Sequence, residues 1–358
     1  MNHYPSNVKE KLNSIILSMA EHHWLFFKNP CHDFSRQHLG KLSFYDTMRL
    51  IISMGKGRTN DEIMDYFDLD PDLIPSQSAF CQRRRQISLS AFEYLFSEFS
   101  SSFPSTTDKF KDHCILACDG CHVVYATNSD IIEDYNKPRL IDYKGYNHMH
   151  LNGFVDVISK AFLDVVIQPR QQPDEREALH SMLDHFTPDD PQKYIITADR
   201  GYESYDLLFH CELKNLGYVF RVKSPSSPKS ILSYYASELP DDLEEFDVTI
   251  KRFFTDKATN IMKSQSDVYR YINPSKNTPH FYELLRKNHS HLYFLQFRVV
   301  KIKTAENTYE YLITNLPFSF TLDDIQECYH WRWGIEISFR YLKHAAGILY
   351  FHSKQPEF

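Results

Sequence analysis

The sequence predicts a mixed α/β protein, and three observations carry that prediction. Residues 1 to about 105 place apolar side chains at helical spacing with no clear strand, the period changes to that of strands from His113, and a polar stripe lies along one late helix. With 358 residues, 27 Phe, 23 Tyr and only 10 Gly, the chain is long enough for a sizeable core and reads as globular rather than disordered. It shows no repeat and no low-complexity tract.

In the first segment, Phe44 to Met54 and Ile63 to Phe67 carry apolar residues at helical spacing. Thr59-Asn-Asp-Glu62 reads as a capping box and so as a helix start. Asp70-Pro71 and Pro75-Ser76 then punctuate the chain, and a short helix from Gln77 to Ile87 carries Arg83, Arg84 and Arg85. Two short helices joined by a turn, the second one basic, predict a helix-turn-helix-like DNA-binding domain over residues 1–105; a solvated basic face is the plainer reading of the same pattern.

From His113, Cys114 to Cys118 leads into Asp119 as a hydrophobic strand, and His122 to Tyr125 continues extended. Phe154 to Ile158 and Phe162 to Ile167 face each other across Ser159-Lys160 as a hairpin. Pro173-Asp174 opens a helix to Phe186, Lys193 to Ala198 is a buried strand ending at Asp199, Tyr205 to Leu216 is helical, and Tyr218 to Val222 is a further strand. Three antiparallel strands followed by alternating helix and strand predict a ribonuclease-H-like mixed-sheet core beginning at residues 106–223. Ser224-Pro-Ser-Ser-Pro228 breaks the alternation, and strand-like runs at Phe246 to Phe254, His291 to Lys303 and Tyr309 to Thr314 predict an inserted β-rich subdomain over 224–318. Residues 319–358 hold the late helix.

On that helix Tyr329, Arg332, Glu336 and Lys343 recur at spacings of three, four and seven, which at about 100° per residue puts them on one stripe. A tyrosine, two cations and one carboxylate make a poor apolar seam but a good grip for phosphates beside a metal-held acid. Trp333, Ile337, Phe339, Tyr341 and Leu342 supply apolar faces alongside, and Gly334 costs about 1 kcal/mol against alanine. Asp119 and Asp199 each follow a hydrophobic strand, where carboxylates from neighbouring parallel strands can converge. Three acids brought together repel, and hard divalent cations, Mg2+ or Mn2+, relieve that repulsion.

Asp119-Gly120, Ala198-Asp-Arg-Gly-Tyr-Glu-Ser204 and Tyr329-x2-Arg332-x3-Glu336-x6-Lys343 together resemble the three acidic motifs of DDE transposases of bacterial insertion sequences, specifically insertion sequence family four. The resemblance runs from about Leu42 to the end of the chain. It implies cut-and-paste transposition, with metal-dependent strand cleavage and transfer at the inverted-repeat ends of an element, often through a hairpin intermediate, by a dimer on DNA. Carried over by position, Asp119, Asp199 and Glu336 become ligands of about two Mg2+ or Mn2+ ions. Tyr329, Arg332 and Lys343 become contacts to phosphates near the cleaved end. Family members stack a flipped base on an aromatic of the insertion; Tyr309 and Tyr311 are both open candidates. Cys121 stands where the family commonly has serine or threonine, and the family's chains continue past the point where this one stops at Phe358. That stop, after the apolar Ile348, Leu349, Tyr350 and Phe351, implies a truncated form, with an inactive DNA-binding remnant or inhibitor as the alternative; a ribonuclease-H-like metal nuclease is another.

Composition bounds the setting. Lys9, Glu10 and Lys11 interrupt the N-terminal apolar residues, so that stretch is neither a secretory signal nor a membrane span, and the expected location is cytoplasmic with no membrane partner. Seven irregularly placed cysteines suit a reducing compartment. Cys118-x-x-Cys121 beside His122 lacks a second pair at zinc-ribbon spacing and reads as ordinary strand thiols rather than a zinc site. The net charge of −7 does not favour a polyanion, but Arg83 to Arg85, and Lys214, Arg221, Lys223 and Lys229, are local basic clusters, while Asp241, Asp242, Glu244, Glu245 and Asp247 gather acid elsewhere.

Overall fold

A computed structural model describes residues 4–29, 41–102, 109–137, 145–257, 259–273 and 278–349. The N-terminal part is helical, with α1 (Tyr4–Glu21), α2 (Phe44–Ser53), α3 (Thr59–Tyr66), α4 (Gln77–Gln86) and α5 (Leu89–Ser101). Helix α2 starts with a reciprocal cap: the Ser43 hydroxyl accepts the Asp46 N–H at 3.0 Å, and Asp46 accepts the Ser43 N–H at 3.3 Å. Its apolar stripe packs Phe44 and Met48 against Ile16 and Met19 of α1 and Ala91 and Leu95 of α5, while Leu50 meets Ile63 of α3 and Phe80 of α4.

One local expectation changes here. The predicted capping box at Thr59 does not form, because Thr59 is already helical and Arg58 occupies the cap without a side-chain bond. Glu62 instead accepts the Gly57 N–H at 2.6 Å, tying the entry loop to the helix. The connection between α3 and α4 is Phe67 to Ser76, with left-handed residues at Asp68 and Leu69, and is longer than the short turn of a tight helix-turn-helix.

The strands begin with β1 (Cys114–Tyr125), β2 (Tyr135–Asn136), β3 (Tyr146–Asp156) and β4 (Phe162–Pro169), followed by α6 (Glu175–His185), β5 (Tyr194–Ala198), α7 (Tyr205–Leu213) and β6 (Gly217–Val222). β3 runs antiparallel to β1 and β4 antiparallel to β3, whereas β1, β5 and β6 are parallel. This is the ribonuclease-H-like arrangement predicted from the sequence. The hairpin turn is set by Asp156, whose carboxylate accepts the Ile158 and Ser159 N–H groups while Lys160 takes a left-handed conformation.

The segment after β6 contributes β7 (Phe246–Thr255), α8 (Asn260–Ser264), β8 (Tyr269–Tyr271), α9 (Pro279–Lys287), β9 (Leu292–Ala305) and β10 (Thr308–Thr314). Its strands do not make a sheet of their own. β10 pairs antiparallel with β6 and continues through β9, β7 and β8, so all ten strands form one sheet. Strand alternation gives that sheet two buried faces. Leu116, Cys118, Ile196, Phe220 and Phe297 face α6, α7 and α9 on one side. Ile115, Ala117, Ile195, Val219 and Val300 face α10 (Leu322–Trp331) and α11 (Gly334–His344) on the other.

The approach to these last two helices is held by one buried cation. Arg298 on β9 donates Nε to Asp247 at 3.1 Å, pairs a second nitrogen with the same carboxylate, and gives Nη1 to the carbonyls of Leu316, Pro317 and Phe320 at 3.2, 2.9 and 2.9 Å. Those carbonyls lead directly into α10. Removing one partner of a buried pair strands the other, so Arg298→Met is expected to cost about 3 kcal/mol in urea unfolding. A loss below about 1 kcal/mol would show that other contacts hold this segment.

Candidate active site

Asp119 lies inside β1 rather than after it, a correction to the expected strand end. The parallel pairing of β1 with β5 nevertheless stops at Ala117 and Thr197, so Asp119 sits just beyond the point where its parallel neighbour finishes. Asp199 follows β5 immediately and caps the short helical turn Arg200–Tyr202, accepting the Gly201 N–H at 2.7 Å. The rest of that motif is structural. Tyr202 is buried with its hydroxyl 3.5 Å from the Cys118 sulfur, and Ser204 caps α7. Glu203, also buried, accepts the Lys223 N–H and Nζ, both at 3.0 Å, and the Ile231 N–H at 2.5 Å, pinning the chain that leaves β6.

The stripe Tyr329, Arg332, Glu336, Lys343 does not lie on one unbroken helix. The bonds Arg332 N–H to Tyr329 O and Trp333 N–H to His330 O, each 3.1 Å, tighten the chain between α10 and α11. Gly334 sits close beside this junction: a Cβ there would lie 3.1 Å from Val157 Cβ and 3.2 Å from the Val157 carbonyl, so α11 begins pressed against the turn that follows β3. The consequence is that the stripe divides. Tyr329 is 4% exposed and Arg332 5%, both in the apolar layer beneath α10, while the Glu336 side chain is 43% exposed and Lys343 is half-buried.

Arg332 is what connects the acids. Its Nη1 lies 3.6 Å from Asp119 Oδ2 and its Nη2 3.7 Å from Glu336 Oε1, and its plane lies against the rings of Tyr329 and Trp333. Burial raises the Tyr329 phenol above its ordinary pKa, against the opposing pull of Arg332 and Arg221, so it stays neutral. Cys121, two residues beyond Asp119 on the same strand face, meets Lys343. Cys118 points to the other face, so the C-x-x-C pair cannot converge on one metal.

A fourth carboxylate, which no spacing in the sequence indicates, joins this group. Glu175, the first residue of α6, lies 3.1 Å from His150 Nε2 and borders Gly120. A Cβ on Gly120 would stand 2.3 Å from His150 Nε2 and 2.7 Å from Glu175 Oε1, so glycine is required for that approach. Arg176, the next residue, donates Nε to the Gly201 carbonyl at 2.9 Å and locks α6 to the Asp199 turn. His122 packs edge-on against both His148 and His150. Burial lowers the pKa of His122 and His148, so they are neutral near pH 7.

The electrostatics suit a hard cation. Burial, with Asp199 and Glu175 adding to it, pushes Asp119 up to about 6 despite the Gly120 N–H and Arg332. Carboxylate oxygens are the donor set for Mg2+ or Mn2+, and Asp119, Asp199 and Glu336 could hold such ions with Glu175 close by. Among the described residues, these acids do not all close to within 4.8 Å of one another, and Arg332 lies between two of them. Elsewhere, Arg83, Arg84 and Arg85 fall in the last turn of α4, with Arg84 partly buried over the Phe80 ring. Of the aromatic candidates in the insertion, Tyr311 is buried and bonded to Asp241, and Tyr309 lies under the Lys301 ammonium at 4.5 Å.

Comparison with known proteins points the same way. The family model described as a transposase DDE domain matches residues 110–358. No curated protein matches the sequence. Among solved structures, the cryo-EM structure of the piggyBac transposase synaptic complex with hairpin DNA is similar at 10% identity with a TM-score of 0.42, over 93% of this chain and 65% of that one. The chain therefore spans about 65% of the length of that transposase chain.

The raised Asp119 pKa makes a signed prediction for the metal-free protein. Because the folded value lies above the ordinary 3.8, ionised Asp119 costs stability; the cost is absent below 3.8 and complete above about 6. Asp119→Asn is expected to raise Tm at about pH 7, through a stability gain on the order of 2 kcal/mol, and to leave it unchanged at about pH 3.5. Added magnesium should close the gap at the higher pH by stabilising the wild type. Equal melting temperatures across the range would remove the proposed charge crowding.

Proposed function

We propose that this chain, which belongs to the transposase DDE domain family, cleaves and rejoins DNA strands at the inverted-repeat ends of an insertion sequence. The observation that carries the reading is the Arg332 guanidinium, within 3.6 Å of Asp119 and 3.7 Å of Glu336, residues from opposite ends of the family match. Asp119, Asp199 and Glu336 are the metal ligands in this reading, and Glu175 is a fourth acid at their edge. Bound Mg2+ or Mn2+, about two ions, would supply Lewis acidity to the attacking and leaving oxygens.

The protein's own groups set the conditions for that chemistry. Arg332 keeps Asp119 and Glu336 partly neutralised when metal is absent, and its burial fixes the distance between β1 and α11. Tyr329 supports that guanidinium from beneath, so the two act on phosphate mainly through the arrangement of the acids. Lys343 is the member of the stripe positioned to reach a phosphate near the cleaved end. Residues 1–105 bind the element ends, with Arg83, Arg84 and Arg85 supplying base or phosphate contacts. Residues 106–223 and 319–358 form the catalytic core, 224–318 its insertion. The active form is a homodimer on DNA in the cytoplasm.

Strand cleavage on DNA bearing the element's own ends tests the reading. Asp119→Asn, Asp199→Asn and Glu336→Gln are each expected to abolish manganese-dependent cleavage while end binding in a gel-shift assay survives. Cleavage near the wild-type rate in any of them would remove that residue from the metal set.

Lys343→Ala should flatten the dependence of log affinity on log salt by about 0.9 for one lost phosphate contact. Arg332→Ala should instead disturb metal binding and stability more than the salt slope, since its partners are carboxylates. A slope change confined to Arg332→Ala would reverse these two roles.

A further inference from the structure

On the α6, α7 and α9 face of the sheet, three histidines from three helices meet: His180 on α6, His210 on α7 and His280 on α9. One nitrogen of each ring is directed to a carboxylate. His280 Nδ1 is bonded to Asp206 Oδ2 at 2.7 Å, His180 Nε2 lies 3.6 Å from the same oxygen, and His210 Nε2 lies 3.2 Å from Asp184 Oδ1. The remaining nitrogens of two rings turn toward one another. His180 Nδ1 and His210 Nδ1 are 2.9 Å apart, and one ligand atom from each of the three side chains falls within 4.8 Å of the others.

Asp206 is buried and also accepts the His280 and Phe281 N–H groups at 3.0 and 3.2 Å, so it fixes the start of α9 as well as two rings. Imidazoles oriented by outer carboxylates, with a ligand atom of each close to the other two, have the arrangement of a metal centre with its supporting shell. Two Nδ1 atoms 2.9 Å apart cannot both keep a proton between them, so at least one lone pair already faces inward.

We propose that His180, His210 and His280 form a zinc site, distinct from the acidic centre, that fastens α9 of the insertion to α6 and α7 of the core. Nitrogen donors favour Zn2+ over Mg2+, and three protein ligands leave the fourth position of a tetrahedral ion to water. Binding turns the rings out of their parallel stack, in which the His210 and His280 centroids lie 3.8 Å apart, so that the inner nitrogens can approach one ion at about 2.0 to 2.1 Å.

The test uses the full chain without a histidine tag, stripped with chelator and dialysed against zinc in excess magnesium. Elemental analysis should find about one zinc per chain, and Tm should rise with free zinc but not with magnesium. Cobalt should give the visible absorption bands of a tetrahedral nitrogen site. His210→Gln and His280→Gln should each lose the zinc, the cobalt spectrum and the zinc-dependent Tm rise, whereas Asp119→Asn should keep all three. Wild-type protein without retained zinc overturns the proposal whether or not the variants fold. Zinc lost in Asp119→Asn but kept in His280→Gln also overturns it, by moving the ion to the acids and their neighbours His122, His148 and His150. Because none of these readouts involves DNA, failure of the strand-cleavage reading leaves this test intact.

Discussion

Burial of a carboxylate at the open end of β1 and β5, with other acids beside it, is the constraint to which the rest of the site answers. Asp119, Asp199, Glu175 and Glu336 arrive there from two strand positions and two helix N-terminal turns, and Arg332 is the buried cation set among them. A buried guanidinium without partners would cost several kcal/mol, and so would a buried ionised aspartate. Each makes the other tolerable. Burial is the first cause of the raised Asp119 pKa, with Asp199 and Glu175 adding to it, and carboxylate oxygens of this kind are the donors a hard divalent cation would take.

Backbone geometry decides how closely those groups can gather. Along β1, alternation sends Asp119 and Cys121 toward α11 and sends Cys118, Gly120 and His122 toward α6. A side chain at Gly120 would collide with both His150 and Glu175, and one at Gly334 would hold α11 away from Val157. The two glycines therefore set the thickness of the site from opposite faces. At the helix break beside the second contact, Arg332 stays buried while Glu336, one turn on, reaches the surface.

Much of the fold was legible because apolar period survives wherever a segment buries one or two complete faces. The hairpin at 154–167, the strands at 194–198, 246–255 and 292–305, and the helix opening at Pro173-Asp174 all read directly from residue pattern. β3 begins earlier than that pattern suggests because its first half is Tyr-Asn-His-Met-His, and buried Asn147, His148, His150 and Asn152 break the apolar rule beside the candidate site. Pattern also identifies a strand without naming its partner, which is why β7, β9 and β10 read as a subdomain although they extend the main sheet. Asp119, Asp199 and Glu336 stood out through motif resemblance. Glu175 and the histidine triad could not, since they depend on where separate helices end up rather than on spacing along the chain.

Helix α6 links the two chemistries. Its first residue, Glu175, stands with the acids, and His180 on the same helix stands with His210 and His280. Oxygen donors at its N-terminus and nitrogen donors midway along it select different ions, so the two centres need not compete for the same metal. Arg176 fixes the N-terminus of α6 to the Asp199 turn, and Asp206 fixes α9 against α7. A zinc ion at the histidines would constrain the middle of the same helix, limiting its rotation without touching the acids. The stiffness of α6 would then determine how far Glu175 can move toward Asp119, and the histidine centre would act on the acidic one through position rather than charge.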